Sequence, residues 1–218
     1  MIGSPIVTLL IGIVLFIIFV GRHYIKDFLH APKGSFDGIS DREMIDKAIG
    51  VLNERFGSPF KKYVLSEDIA QILKREPDSE YALNIFLQSV AAHCGFDRHQ
   101  LMLRLYGEEK NLPPGRIQKL GSSYLMELHM DYENNTAAVL SVIVHEFCHF
   151  FLSESGIELV NTLQNEVLTD TAAVYFGFYE IMREGYKPNL RSVKDGMNQW
   201  HRVGYLNVDN IDYVHRMI

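Results

Sequence analysis

Three spacings of apolar side chains run along this chain, and each predicts a different element. The first is unbroken. No charged residue occurs from 1 to 21, and IVTLLIGIVLFIIFV, residues 6–20, is almost wholly branched or aromatic. A helix of about 20 apolar residues, rising 1.5 Å per residue, spans the ~30 Å hydrocarbon layer, so residues 4–21 are predicted to cross a membrane. The second spacing is helical. Ser40 with Glu43 reads as a capping box that opens a helix through Arg55, with Met44, Ala48, Val51 and Leu52 on one face and Gly57 and Pro59 stopping it. Further helices are predicted over 66–75, over 78–93 with Gly95 as the stop, over about 136–152, closing near Gly156, and over about 158–183, closing at Gly185. Leu206 and Asn207 open a last short one. The third spacing alternates. LMLRLYG, 101–107, alternates in part, and YLMELHMD sets Tyr124, Met126, Leu128 and Met130 against Glu127, His129 and Asp131. The polar GEEKNLPPG between them is predicted as a loop.

The fold class that follows is α+β and mostly helical, with a small sheet ahead of a pair of long helices and one N-terminal transmembrane helix. Three parts are expected: residues 1–29 as anchor and flank, the Pro-, Gly- and Ser-containing 30–38 as a linker, and 39–218 as one globular domain. A cleaved secretory signal wants a basic region before its apolar stretch and small residues after it. Here Arg22, Lys26 and Lys33 follow the stretch and no Lys or Arg precedes it. Positive charge marks the cytoplasmic flank, which predicts a single-pass protein of a bacterial inner membrane with its domain in the cytoplasm. Two cysteines, Cys94 and Cys148, cannot form a disulfide framework. A net charge of −6 with mixed signs argues against a nucleic-acid surface.

Candidate chemistry lies in AVLSVIVHEFCHFFLSE, residues 138–154. Residues four apart share a helix face, so His145 and His149 project together and can hold one ion. With Glu146 they form HExxH, whose histidines bind Zn2+ while the glutamate takes a proton from the water that the metal activates. Val142, Ile143, Val144, Phe147, Cys148, Phe150 and Phe151 surround these groups, and a buried, unpartnered glutamate costs several kcal/mol or takes up a proton. A metal accounts for all three polar groups at once. The same segment is interrupted by His, Glu and His within 139–152, too short and polar for a second crossing. A third ligand is offered by NEVLTDTAAVYFG, 165–177, in which Glu166 and Asp170 share a face. Glu166 is the favoured ligand, with Glu154 and Glu158 as rivals. Asp170 is then placed to accept a hydrogen bond from a ligating histidine.

HEFCH followed by NEVLTD resembles the gluzincin, thermolysin-like metallopeptidases, with Thr169 where their second motif has Ser. The likeness covers about residues 124–178, and the chain resembles a membrane-anchored bacterial branch of that group. The resemblance implies a zincin-like domain, Zn2+ on His145, His149 and Glu166, Glu146 as general base, and a supporting role for Asp170. It implies a zinc endopeptidase acting on a protein or peptide. Tyr175, His201, Tyr205 and His215 are the candidates to stabilise the transition state, and the strand 124–131 is a candidate edge for an extended peptide. The rival reading is a non-catalytic, zinc-stabilised module that recruits a protein partner to the membrane. His93, His99 and His129 are read as ordinary residues.

Overall fold

The computed structural model describes residues 42–96, 101–106, 115–129, 135–159, 161–187, 189–192, 198–201 and 204–218. All belong to the second of two units, Gly38–Ile218. The expected membrane helix, the linker and the Ser40 cap lie outside the described residues.

Helix α1, Arg42–Phe56, buries Ile45, Ala48, Ile49 and Leu52. Its inward stripe is therefore rotated from the predicted one, with Met44 and Val51 only half-buried. Helices α2, Glu67–Arg75, and α3, Glu80–His93, begin where Ser66 and Ser79 accept the backbone N–H of Ile69 and Ala82. Such caps satisfy donors that the first helical turn leaves without an intrahelical partner. Strands β1, Leu101–Tyr106, β2, Gly115–Leu120, and β3, Ser123–His129, form a sheet of order β1-β3-β2. β1 runs parallel to β3, and β2 runs antiparallel to it. Tyr124, Met126 and Leu128 face the core as the alternation predicts.

Two expectations change here. The strand read as a possible peptide edge, β3, is the middle strand, so both its edges are used. The last residue of the expected loop, Gly115, begins β2, whose Arg116, Gln118, Lys119 and Leu120 are exposed. With only Gly115 buried and Ile117 half-buried, β2 has almost no apolar alternation, so the sequence assigns 116–123 to no element.

The other edge of the sheet is closed by side chains rather than by a strand. Glu80, Asn84 and Gln88 stand one turn apart on α3 and run along β1. Leu105 N–H donates to Glu80 Oε2 at 3.0 Å, and Leu103 N–H donates to Asn84 Oδ1 at 2.8 Å. Asn84 Nδ2 returns a bond to Leu103 O at 2.7 Å, and Gln88 Nε2 donates to Leu101 O. Four of the backbone groups that would template another strand are thus occupied.

Helix α4, Thr136–Glu154, starts where Asn135 accepts Ala138 N–H and forms the centre of the core, with Ile143, Val144, Phe147 and Cys148 at 0 % exposure. Among the described residues it is the one helix long and apolar enough to cross a membrane, and 56% of its most apolar window is buried inside the domain.

The predicted helix 158–183 is three pieces: α5, Thr162–Ala173, a wide turn at Val174–Phe178, and α6, Tyr179–Gly185. α5 begins only after Asn161 accepts Gln164 N–H, so Glu158 lies in the connection. The break has a cause in Gly177, whose φ is +93°. Its neighbourhood frees the carbonyls of Tyr175, Phe176 and Gly177, which accept from Phe60 N, His93 Nε2 and Tyr63 N at 2.9, 2.9 and 3.0 Å. The Lys61 carbonyl occupies the place a Cβ on Gly177 would take. His93 is accordingly a structural donor. A hairpin of β4, Asn189–Ser192, and β5, Asn198–His201, and the helix α7, Val208–Met217, complete the described domain.

Gly177→Ala combines positive-φ strain with an overlap on the Lys61 carbonyl and is expected to destabilise the domain by about 2–4 kcal/mol. Urea unfolding monitored by circular dichroism measures this; an unchanged midpoint would remove Gly177 as the cause of the break.

Candidate metal centre

His145 and His149 occupy one face of α4 because they are four residues apart, and Glu166 sits on the first turns of α5, which packs across that face. The three offer ligand atoms that lie within 4.8 Å of one another. Glu166 Oε2 is 3.2 Å from His145 Nε2 and 3.0 Å from His149 Nε2. Bonds of 2.0–2.2 Å to a tetrahedral ion put neighbouring ligand atoms about 3.3–3.6 Å apart, and the spacing of both nitrogens from the carboxylate oxygen lies just short of that range, within reach of one ion by a small shift. The group can therefore hold a metal ion.

The far side of each ring determines which nitrogen is available. Thr169 Oγ1 donates to Asn165 O at 2.9 Å, which leaves its oxygen to accept His149 Nδ1–H at 3.0 Å. Asp170 Oδ1 accepts His145 Nδ1–H at 2.8 Å. With Nδ1 protonated on both rings, both Nε2 lone pairs face the cluster, the tautomer a metal requires. Asp170 is at 0 % exposure and has four donors: His145, the Tyr186 hydroxyl, and the backbone N–H groups of Tyr205 and Leu206 at 2.8 and 2.9 Å. Four donors fill the roughly four lone-pair sites of a carboxylate, so the group that orients His145 is itself immobilised.

Without a metal, protons take its place. Burial favours a neutral His145 ring, but its hydrogen bonds to Asp170 and Glu166 and the charges of Asp170 and Glu146 outweigh it and raise its pKa well above 6.5. Burial also pushes Glu166 up, yet His145 and His149 bond to it and hold it at about 2. Glu146 is the opposite case. Burial raises its carboxyl above the usual range, the two histidines offset this only in part, and Glu166 adds to it.

Of the transition-state candidates, Tyr205 comes to the cluster. Its ring lies 6.5 Å from that of His145 and nearly parallel to it, and burial followed by the charges of Glu166, Asp170 and Glu146 puts its pKa at about 12. Tyr175 is not brought there: it is buried in the core and donates to Asn53 Oδ1 at 2.9 Å. His215 is exposed on α7 and stacks on Tyr179 at 3.9 Å. His201 lies on β5, with its side chain outside the described residues. Glu154 and Glu158 line the neighbouring cleft but do not join the cluster. The cleft, ≈ 430 Å³, lies between β2 and α4, with Gly115 and Ile117 on one wall and Glu146, His149 and Phe150 on the other. Sequence reasoning missed Tyr186, which sits one residue beyond α6 in an unremarkable EGYK context.

The chain matches no protein-family model, no curated protein and no solved structure.

Asp170→Asn is expected to weaken metal affinity about 10–100-fold, measured by competition with a chromophoric chelator; unchanged affinity would show that His145 needs no anchor. A second expectation concerns pH in the metal-free chain. The lowered Glu166 contributes stability that is complete above 4.5 and lost as pH falls toward about 2. The raised His145 contributes stability that is complete below 6.5 and lost as pH climbs through its folded value. In a Glu146→Gln background, which removes the raised carboxyl that itself loses stability as pH climbs above 4.5, metal-free stability should therefore be greatest between 4.5 and 6.5, while apparent metal affinity rises with pH as the ion displaces the His145 proton. Urea unfolding and chelator competition across pH test the two halves.

Proposed function

We propose that this chain is a zincin-type zinc endopeptidase, tethered by its first 29 residues to the inner bacterial membrane with the domain cytoplasmic, acting on an extended protein or peptide. The observation that carries the reading is the convergence of two Nε2 atoms and the Glu166 carboxylate beside a carboxylate, Glu146, that has no ligand role and a raised pKa. Two imidazoles and one carboxylate are a donor set that suits zinc and leaves a fourth position open. The likeness of HEFCH and NEVLTD to the gluzincins supports the same assignment of roles.

Bound zinc would polarise the scissile carbonyl and make water acidic enough to lose a proton near neutral pH. The chain's own groups supply the rest. Glu146, whose burial brings its pKa toward working pH, accepts a proton as the water oxygen bonds to the carbonyl carbon. It delivers that proton to the amide nitrogen as the C–N bond breaks. Tyr205 remains protonated across the working range and donates to the developing oxyanion. Substrate adds as a strand on β2, because α3 side chains occupy the β1 edge while the β2 edge borders the cleft that holds Glu146 and His149.

Glu146→Gln should keep about one zinc per chain, since all three ligands remain, and should lose about 10²–10⁴-fold in cleavage of an unfolded protein. A variant that cleaves as fast as the parent rules out this base. A parent that holds zinc and cleaves nothing supports instead the non-catalytic module that recruits a protein partner.

A further inference from the structure

Gly115 opens β2 opposite Leu128, and Leu128 is buried on the sheet face toward α4. Opposed residues of an antiparallel pair point to the same face, so a side chain at 115 would project at α4. A Cβ built there would lie 2.6 Å from Glu146 Cγ, 3.1 Å from Cδ and 3.2 Å from Oε1. The overlap involves the middle of the Glu146 side chain, so relieving it means turning the whole carboxylate elsewhere.

The glycine is not required by its backbone. The described glycines with positive φ are 57, 95, 121, 156, 177 and 204, and Gly115 is not among them. A glycine inside a strand weakens it and marks a place where something approaches closely; here the thing approaching is the Glu146 side chain. Nor is Glu146 located by hydrogen bonding. His145, His149 and Glu166 act on it through charge, and among the described residues no hydrogen bond fixes its carboxylate. A group without directional bonds is placed by what packs against it.

We infer that Gly115 is the positioning residue for Glu146: the missing Cβ is the seat in which the Glu146 side chain rests beside the metal cluster. The catalytic consequence rests on the peptidase reading, whereas the placement does not. β2 then has two duties, seating the proposed base with its first residue and bordering the cleft with an edge that pairs with no strand among the described residues.

A double-mutant cycle on the full chain tests this. Gly115→Ala is expected to lower the urea midpoint in the parent, and to leave it unchanged or raise it in a Glu146→Ala background, where the colliding side chain is gone. In the parent the same substitution should lower kcat about a hundredfold while zinc content stays the same and KM stays within about threefold. A penalty that persists in the Glu146→Ala background would overturn the inference, because it would assign Gly115 to the strand or the preceding loop. So would an unchanged kcat in a chain that cleaves. If the parent cleaves nothing, the peptidase reading fails by itself and the stability cycle alone decides the seat.

Discussion

The structure turns on a carboxylate, Asp170, buried where two helices cross. An ion of this kind is costly away from water unless every lone pair is matched. Its four donors come from α4, from the end of α6 and from the segment leading into α7. Satisfying one side chain therefore draws three distant parts of the chain together. His145 is held from behind by this arrangement, and the Thr169–Asn165 pair does the same for His149 with fewer bonds. The centre is rigid because its supports are themselves bonded, which is the usual requirement for a preorganised site.

The route of the chain after α5 serves this hub. A straight helix through 185 would carry Tyr186 away from Asp170. The wide turn at Val174–Phe178 redirects it, and the bonds lost inside the helix are recovered by Phe60, Tyr63 and His93. Local irregularity is thus compensated by tertiary partners, and its product is a hydroxyl delivered to a buried carboxylate.

The sheet is asymmetric for a related reason. Three strands give two edges, and each unpaired edge invites another strand. Side-chain amides and a carboxylate on α3 occupy one, and the other borders the cleft beside Glu146 and His149. The same contrast explains why β3, the most regular alternation in the sequence, is the wrong strand to look to for an open edge. Alternation reports which face of β3 is buried and carries no information about which of its edges is paired.

Residue order alone was enough to specify what depends on local spacing. His145 and His149 share a face because four residues make about one helical turn, and Glu166 and Asp170 share another for the same reason. The apolar content of α4 and the inward face of β3 follow from periodicity as well. Tertiary structure decided everything that joins elements far apart in the chain: which carboxylate of Glu154, Glu158 and Glu166 meets the rings, that Tyr205 rather than Tyr175 or His215 approaches them, that Tyr186 completes the Asp170 shell, and that Gly115 faces Glu146. These are contacts between residues 16 or more positions apart or between a strand and a helix, and no periodicity encodes them. They exist because burying polar groups is tolerable only where packing brings each one its partner, and that condition is met by the folded whole rather than by any segment of it.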